Sequence, residues 1–196
     1  MVNSDSTEAK ILTSAKELFI EKGYHDTSMS AIAKEAGLGK GTLYWHFDSK
    51  DDLFKKMITK EGRVILAEVK ELSESNLPTE DILKKFIQIR VSRMVKHRKA
   101  SQMFMDNENF TNKEFKKTML GIYCSLIEEL EKIINKGIEE DVFETDRPDK
   151  TAAAIMGTIN GLCSVVIVGH DDQLSLEEIV ECIYNLIMDG IEKKGV

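Results

Sequence analysis

The stretch from Thr27 to Lys50, TSMSAIAKEAGLGKGTLYWHFDSK, limits the possible folds of this chain more than any other segment. Ile32, Ala33 and Ala36 fall on one face at helical spacing, and the run stops at Gly37-Leu38-Gly39. Glycine suits the left-handed backbone that ends a helix, so the first helix is expected to end at Gly37. Ser30 is expected to cap its start. A second short helix then covers Lys40 to Phe47, with Leu43 and Phe47 facing a small core. Two short helices joined by a glycine turn predict a helix-turn-helix. The exposed polar and aromatic groups of the second helix suit it to reading DNA. A helical hairpin that merely packs would not place tyrosine, tryptophan and histidine side by side on one short helix.

The rest of the chain reads as helix throughout, so the fold class is all-α, with about nine helices. There are only two prolines, Pro78 and Pro148, and no alternating strand pattern. Helices are expected over 7–22, from Lys50 to about Leu72, from Thr79 to about Lys96, over 112–140, 149–168 and 175–192. A short helix and bend are expected around 102–109. Ser49 is placed to cap the helix that begins at Lys50, with Asp51 and Asp52 in its first turn. Ser175 and Glu178 have the spacing of a capping box. The division of labour is expected near residue 50: residues 1–50 as a head and 51–196 as a body. A stiff helix shared by the two could transmit a tilt from one to the other.

Net charge is −7. Residues 1–60 carry nine Lys and nine Asp or Glu and are neutral, so the whole deficit lies in the body. A neutral head on an acidic body turns the head toward a polyanion, with modest, salt-sensitive non-specific affinity. Cys124, Cys163 and Cys182 are widely spaced in apolar helical stretches, which fits reduced thiols and a cytoplasmic location. The first residues have no apolar run, so no signal peptide is expected. Ala152 to Gly169 runs 18 residues without a charge, the lower limit for a membrane span. Its Thr158, Asn160, Ser164 and three glycines weaken that reading. A buried helix at a subunit interface is preferred, with no membrane partner.

Residues Ile11 to Phe19 with Gly23-Tyr24, then Thr27-Ser28, Ile32-Ala33, Ala36-Gly37-Leu38, Lys40 through Phe47, Ser49-Lys50 and Leu53 resemble, in order and spacing, the DNA-binding domain of the TetR/AcrR family of transcriptional regulators. The body is similar to that family only in size and helical pattern. The resemblance implies a homodimer whose two heads enter successive major grooves of a palindromic operator in double-stranded DNA. It also implies release of that operator by a ligand. The residues expected at DNA are Thr27, Ser28, Lys40, Gly41, Thr42, Tyr44, Trp45, His46 and Lys50. Lys40, Gly41 and Thr42 open the second helix and would approach base edges. Tyr44 and His46 suit phosphates, while Thr27, Ser28 and Lys50 suit clamping of the backbone. Trp45 either packs or touches sugar. The family often has Ser where this chain has Gly39, which removes a side-chain cap. No arginine precedes Arg63, so the head lacks the arginine fork for guanine.

Two expectations concern the body. The apolar helix over 149–168 and the wide stripe of 175–192 exceed what one subunit covers, so the two are expected to form a four-helix bundle with a second copy. Gly157, Gly161, Val165, Ile179, Ile183, Leu186 and Ile187 would lie in that interface; for the two glycines intrachain packing is the alternative. A largely apolar cavity for a small-molecule effector of unknown identity is the second expectation. Met103, Phe104, Phe110, Met119 and Tyr123 would line it, unless they are ordinary core. Asn160, alone among apolar neighbours, needs a partner from a ligand or a neighbouring helix. Asp106 could face a cationic ligand or sit in a solvated bend. His25, His46, His97 and His170 are scattered, and no nucleophile, phosphate-loop or paired-acid motif occurs. No metal, cofactor or enzymatic activity is expected. The runner-up to an effector-released repressor is a dimeric DNA-binding regulator with no small-molecule ligand.

Overall fold

The computed structural model describes residues 4–96, 113–169 and 175–191 of the chain. They form eight helices and no strands: α1 Ser4–Lys22, α2 Met29–Glu35, α3 Lys40–His46, α4 Lys50–Ser73, α5 Thr79–Lys96, α6 Lys113–Glu139, α7 Pro148–Gly169 and α8 Leu176–Ile191. The protein is all-α. The further short helix expected around 102–109 lies outside the described residues.

The chain divides into two compact units. The first holds residues 1–62 and 97–119; the second holds 63–96 and 120–196. The boundaries fall inside α4, at the end of α5 and inside α6.

The first unit is built on one apolar cluster. Ile11, Ala15, Leu18 and Phe19 of α1 meet Ile32 and Ala33 of α2, Leu43 of α3 and Leu53, Phe54 and Met57 of α4. The Phe19, Tyr24 and Phe54 rings pack with centroids 5.4–5.5 Å apart. Phe115, from the start of α6, completes this core, and Met119 packs against it. In sequence these two residues look like any others on a long amphipathic helix. Only the fold assigns them to the N-terminal unit.

The second unit packs α5 against α7 and α8. Its buried residues include Ile82, Leu83, Phe86 and Ile87 of α5, Leu130, Ile133 and Ile134 of α6, Ile155, Met156 and Ile159 of α7, and Ile179 and Ile183 of α8. At the end of α6, Gly137 lies against the ring of Phe143, which comes so near that a Cβ could not fit. Among the described residues no helix is long and apolar enough to cross a membrane, α7 with its uncharged stretch over 152–169 included. Ser175 and Glu178 form the expected capping box: Glu178 N–H donates to Ser175 Oγ (3.2 Å) and Ser175 N–H to Glu178 Oε2 (2.7 Å).

The start of α2 differs from expectation. The cap is Ser28, whose Oγ accepts from Ala31 N–H at 3.1 Å, whereas Ser30 is an exposed residue inside the helix. Burial decides between two serines of equal capping ability. Starting at Met29 puts Met29, Ile32 and Ala33 on a single inward face, and all three are buried.

Candidate functional site

The turn that aims α3 is a Schellman motif. Gly37 takes φ +66°, its N–H donates to Lys34 C=O (3.1 Å), and Leu38 N–H donates to Ala33 C=O (2.9 Å). Leu38 then folds back onto the core. Gly39, the cap of α3, sits at φ −68°, ψ 146° with no side-chain cap, a conformation open to any residue. Leu43 and Phe47, both at most 1% exposed, hold α3 to the core.

With those two residues turned inward, the rest of α3 faces outward. Lys40, Gly41 and Thr42 are exposed, and a Cβ on Gly41 would meet nothing within 4 Å. Trp45 is 75% exposed and Tyr44 45%. This resolves the ambiguity at Trp45: the indole does not pack in the core. Lys40 Nζ lies 5.8 Å from the centre of the Tyr44 ring, and the Trp45 and His46 rings meet edge-on at 4.7 Å. One short helix thus presents a cation, a hydroxyl, a phenol and an indole on a rigid base.

Thr27, Ser28 and Lys50 are placed differently. Thr27 is buried, and its Oγ1 donates to Gly23 C=O at 2.6 Å, which closes the turn between α1 and α2. Ser28 is exposed but occupied in capping α2. Lys50 Nζ donates to Tyr24 C=O (2.7 Å) and Thr27 C=O (2.9 Å) and lies 4.1 Å from the Tyr24 ring centre. Burial pushes its ammonium below the ordinary value, against the pull of Asp26. The phenol of Tyr24 donates to Asp51. Ser49 Oγ accepts from Asp52 N–H (3.1 Å), so α4 is capped as expected. Thr27 and Lys50 therefore brace the head from within.

In the second unit, Tyr123 of α6 and Asn160 of α7, both expected at an effector, come together. Asn160 Nδ2 donates to the Tyr123 hydroxyl at 3.3 Å. On its other side, Asn160 Oδ1 accepts from Arg90 Nη2 of α5 at 3.5 Å. Arg90 is the residue the sequence reading missed: it is mostly buried, and its Nε has no hydrogen-bond partner. Burial pushes its guanidinium below the ordinary value, partly offset by Tyr123 and Cys163. Cys163, fully buried one turn after Asn160, has its thiol pushed up to about 11 by burial. Met119 packs against the first unit's core. Met103, Phe104, Asp106 and Phe110 lie outside the described residues.

The residues expected between subunits divide in two. Gly157, Gly161 and Val165 form an exposed stripe on α7, Val165 being 68% exposed, and Leu186 of α8 is 62% exposed. Ile179, Ile183 and Ile187 are buried within the second unit itself.

Comparison with known proteins agrees with this architecture. Residues 11–57 match the family described as "Bacterial regulatory proteins, tetR family". The HTH-type transcriptional regulator UidR of Escherichia coli is 42% identical over 65 residues, which is 33% of each chain. The match thus spans about a third of that curated relative's length. Over nearly the whole chain the likeness is one of fold. A putative transcriptional regulator from Saccharomonospora viridis, solved in complex with choline, superposes with a TM-score of 0.83 at 18% identity, over 97% of this chain and 100% of the other. FadR from Bacillus subtilis, solved with stearoyl-CoA, gives 0.73 at 22% identity, over 93% and 98%.

Proposed function

We propose that the chain is a transcriptional regulator of the tetR family, whose model residues 11–57 match, and that it acts in the cytoplasm. It binds a palindromic operator as a homodimer and is released by a small-molecule effector, which makes it a repressor. The observation that carries the DNA half of this reading is the outward face of α3. Leu43 and Phe47 are sequestered, while Lys40, Thr42, Tyr44 and Trp45 are exposed to solvent. A helix so presented fits the major groove, with lysine for guanine and phosphate and threonine for a thymine methyl. Since residues 1–60 are electrically neutral, affinity comes from joining two heads at a fixed spacing more than from charge.

The effector half rests on the Arg90–Asn160–Tyr123 cluster, a set of polar groups in an apolar interior that the fold does not fully satisfy. Choline and stearoyl-CoA bound to proteins of the same fold give that half its precedent. Effector binding in the second unit would alter operator affinity through α4, which runs unbroken from Lys50 to Ser73.

Selection of sequences from random duplex DNA tests the reading. A palindrome with two half-sites is expected. Lys40→Ala and Tyr44→Ala should each weaken its binding by about tenfold, roughly 1–2 kcal/mol for a phosphate or base contact, with no change in melting temperature. Recovery of no preferred sequence would defeat it.

A further inference from the structure

Arg90 is unusual among the described cations. Lys16, Lys84, Arg93, Lys132 and Arg147 each meet a carboxylate within 3.2 Å. Among the described residues Arg90 meets none, and its partner there is the neutral amide of Asn160, at 3.5 Å. Its Nε is shut off from water and unpaired. A charge removed from water without an opposing charge is a standing cost that a fold does not keep for packing alone. The neighbouring groups point the same way. The Tyr123 oxygen accepts from Asn160, which leaves its own O–H to donate. The cluster therefore offers Nε–H and O–H donors and lacks a free acceptor of matching strength. Phe86 and Ile87, one turn before Arg90, and Met156, one turn before Asn160, are fully buried, so the donors stand in an apolar setting.

Resting on the reading of the protein as effector-responsive, we propose that the effector is an anionic amphiphile whose acidic head, a carboxylate or phosphate, is held by Arg90 Nε–H and the Tyr123 hydroxyl, with Asn160 orienting both. The guanidinium edge that carries Nε is a planar fork matched to two oxygens of such a head. The apolar residues flanking the cluster take the start of the tail. Selectivity lies at the head: a cationic amphiphile meets a buried like charge, and a neutral alcohol leaves Arg90 uncompensated.

The test uses the full chain with three probes of equal tail, decanoate, decanol and decyltrimethylammonium, each kept below its micelle concentration. Binding is read by calorimetry, and release is read on the operator selected from random DNA. Decanoate should bind at least about tenfold more tightly than the other two and release the operator, as a charge-assisted fork requires. Decyl phosphate in place of decanoate distinguishes the two acidic heads. Arg90→Met should abolish the preference for decanoate over decanol while keeping operator binding, and Tyr123→Phe should reduce it. If decanol or the cationic probe binds and releases DNA as well as decanoate does, the anionic assignment is overturned while effector control survives. If no probe, decyl phosphate included, binds or changes operator affinity, the assignment falls together with the effector reading on which it rests. Should Arg90→Met fail to fold, the comparison of heads on the unaltered protein still decides.

Discussion

Gly37 and Gly39 are two positions apart and serve different ends. Gly37 holds φ +66°, where a side chain strains the backbone, so Gly37→Ala should cost about 1–2 kcal/mol in urea denaturation. Gly39 sits at φ −68° with ordinary room for a Cβ. Gly39→Ser should therefore stabilise by about 0.5 kcal/mol, through a new cap and a less flexible unfolded chain. Arg90→Met, which replaces an unmatched buried charge with apolar volume, should raise the stability of the ligand-free protein by about 1 kcal/mol or more. Some of these roles were readable in the sequence and others were not. A glycine after Ile32-Ala33-Ala36 announces the helix end. Nothing local separates Ser28 from Ser30 as a cap, because the choice depends on Met29 being buried. Nor does anything local separate Arg90 from Arg93: one turn of α5 sends Arg93 to Glu68 at 2.7 Å and leaves Arg90 facing a neutral amide.

At the scale of the element, helix starts and stops were legible wherever a side chain both caps and repeats the spacing of a known box. Ser49 and Ser175 behave as expected. Ser175→Ala should lower stability by about 1 kcal/mol. The start of α7 makes a pH prediction. The Arg147 guanidinium beside Asp149 holds its carboxyl down at about 2, from an ordinary 3.8, at a helix N-terminus that also favours the anion. A carboxyl with a lowered folded value adds stability above its unfolded value and loses it as pH falls through the folded one. The stability advantage of wild type over Asp149→Asn should therefore be full at about pH 5 and gone by about pH 1, as thermal melts would show. The uncharged length of α7 was the ambiguous element. Pattern alone cannot say whether lipid or protein surrounds it, and here α5 and α8 pack beside it.

At the scale of the whole molecule, the all-α class was legible because periodicity of three and four runs through every segment. The full membership of the N-terminal core was not, because it depends on which distant helix supplies the last part of it. Phe115 and Met119 fill the N-terminal unit from far along the chain. The isoleucines of α8 illustrate the same limit: a wide apolar stripe announces burial and leaves open by what. Ile179, Ile183 and Ile187 are covered within the unit, whereas Val165 and Leu186 are left outside. If the protein acts as a dimer through these faces, Val165→Glu combined with Leu186→Glu should yield a monomer by light scattering, with unchanged helix content and lost preference for the full palindrome over a half-site.

The tie from Lys50 to the carbonyls of Tyr24 and Thr27 bears on how genetics would chart this head. If the protein represses through α3 as proposed, a screen for loss of repression would score Lys50 and Thr27 beside Lys40 and Tyr44, and a map drawn from the phenotypes would merge two populations. Lys40 and Tyr44 variants would accumulate to normal levels in the cell and fail only at DNA. Lys50 and Thr27 variants would be depleted by proteolysis, and lowering the growth temperature would restore them.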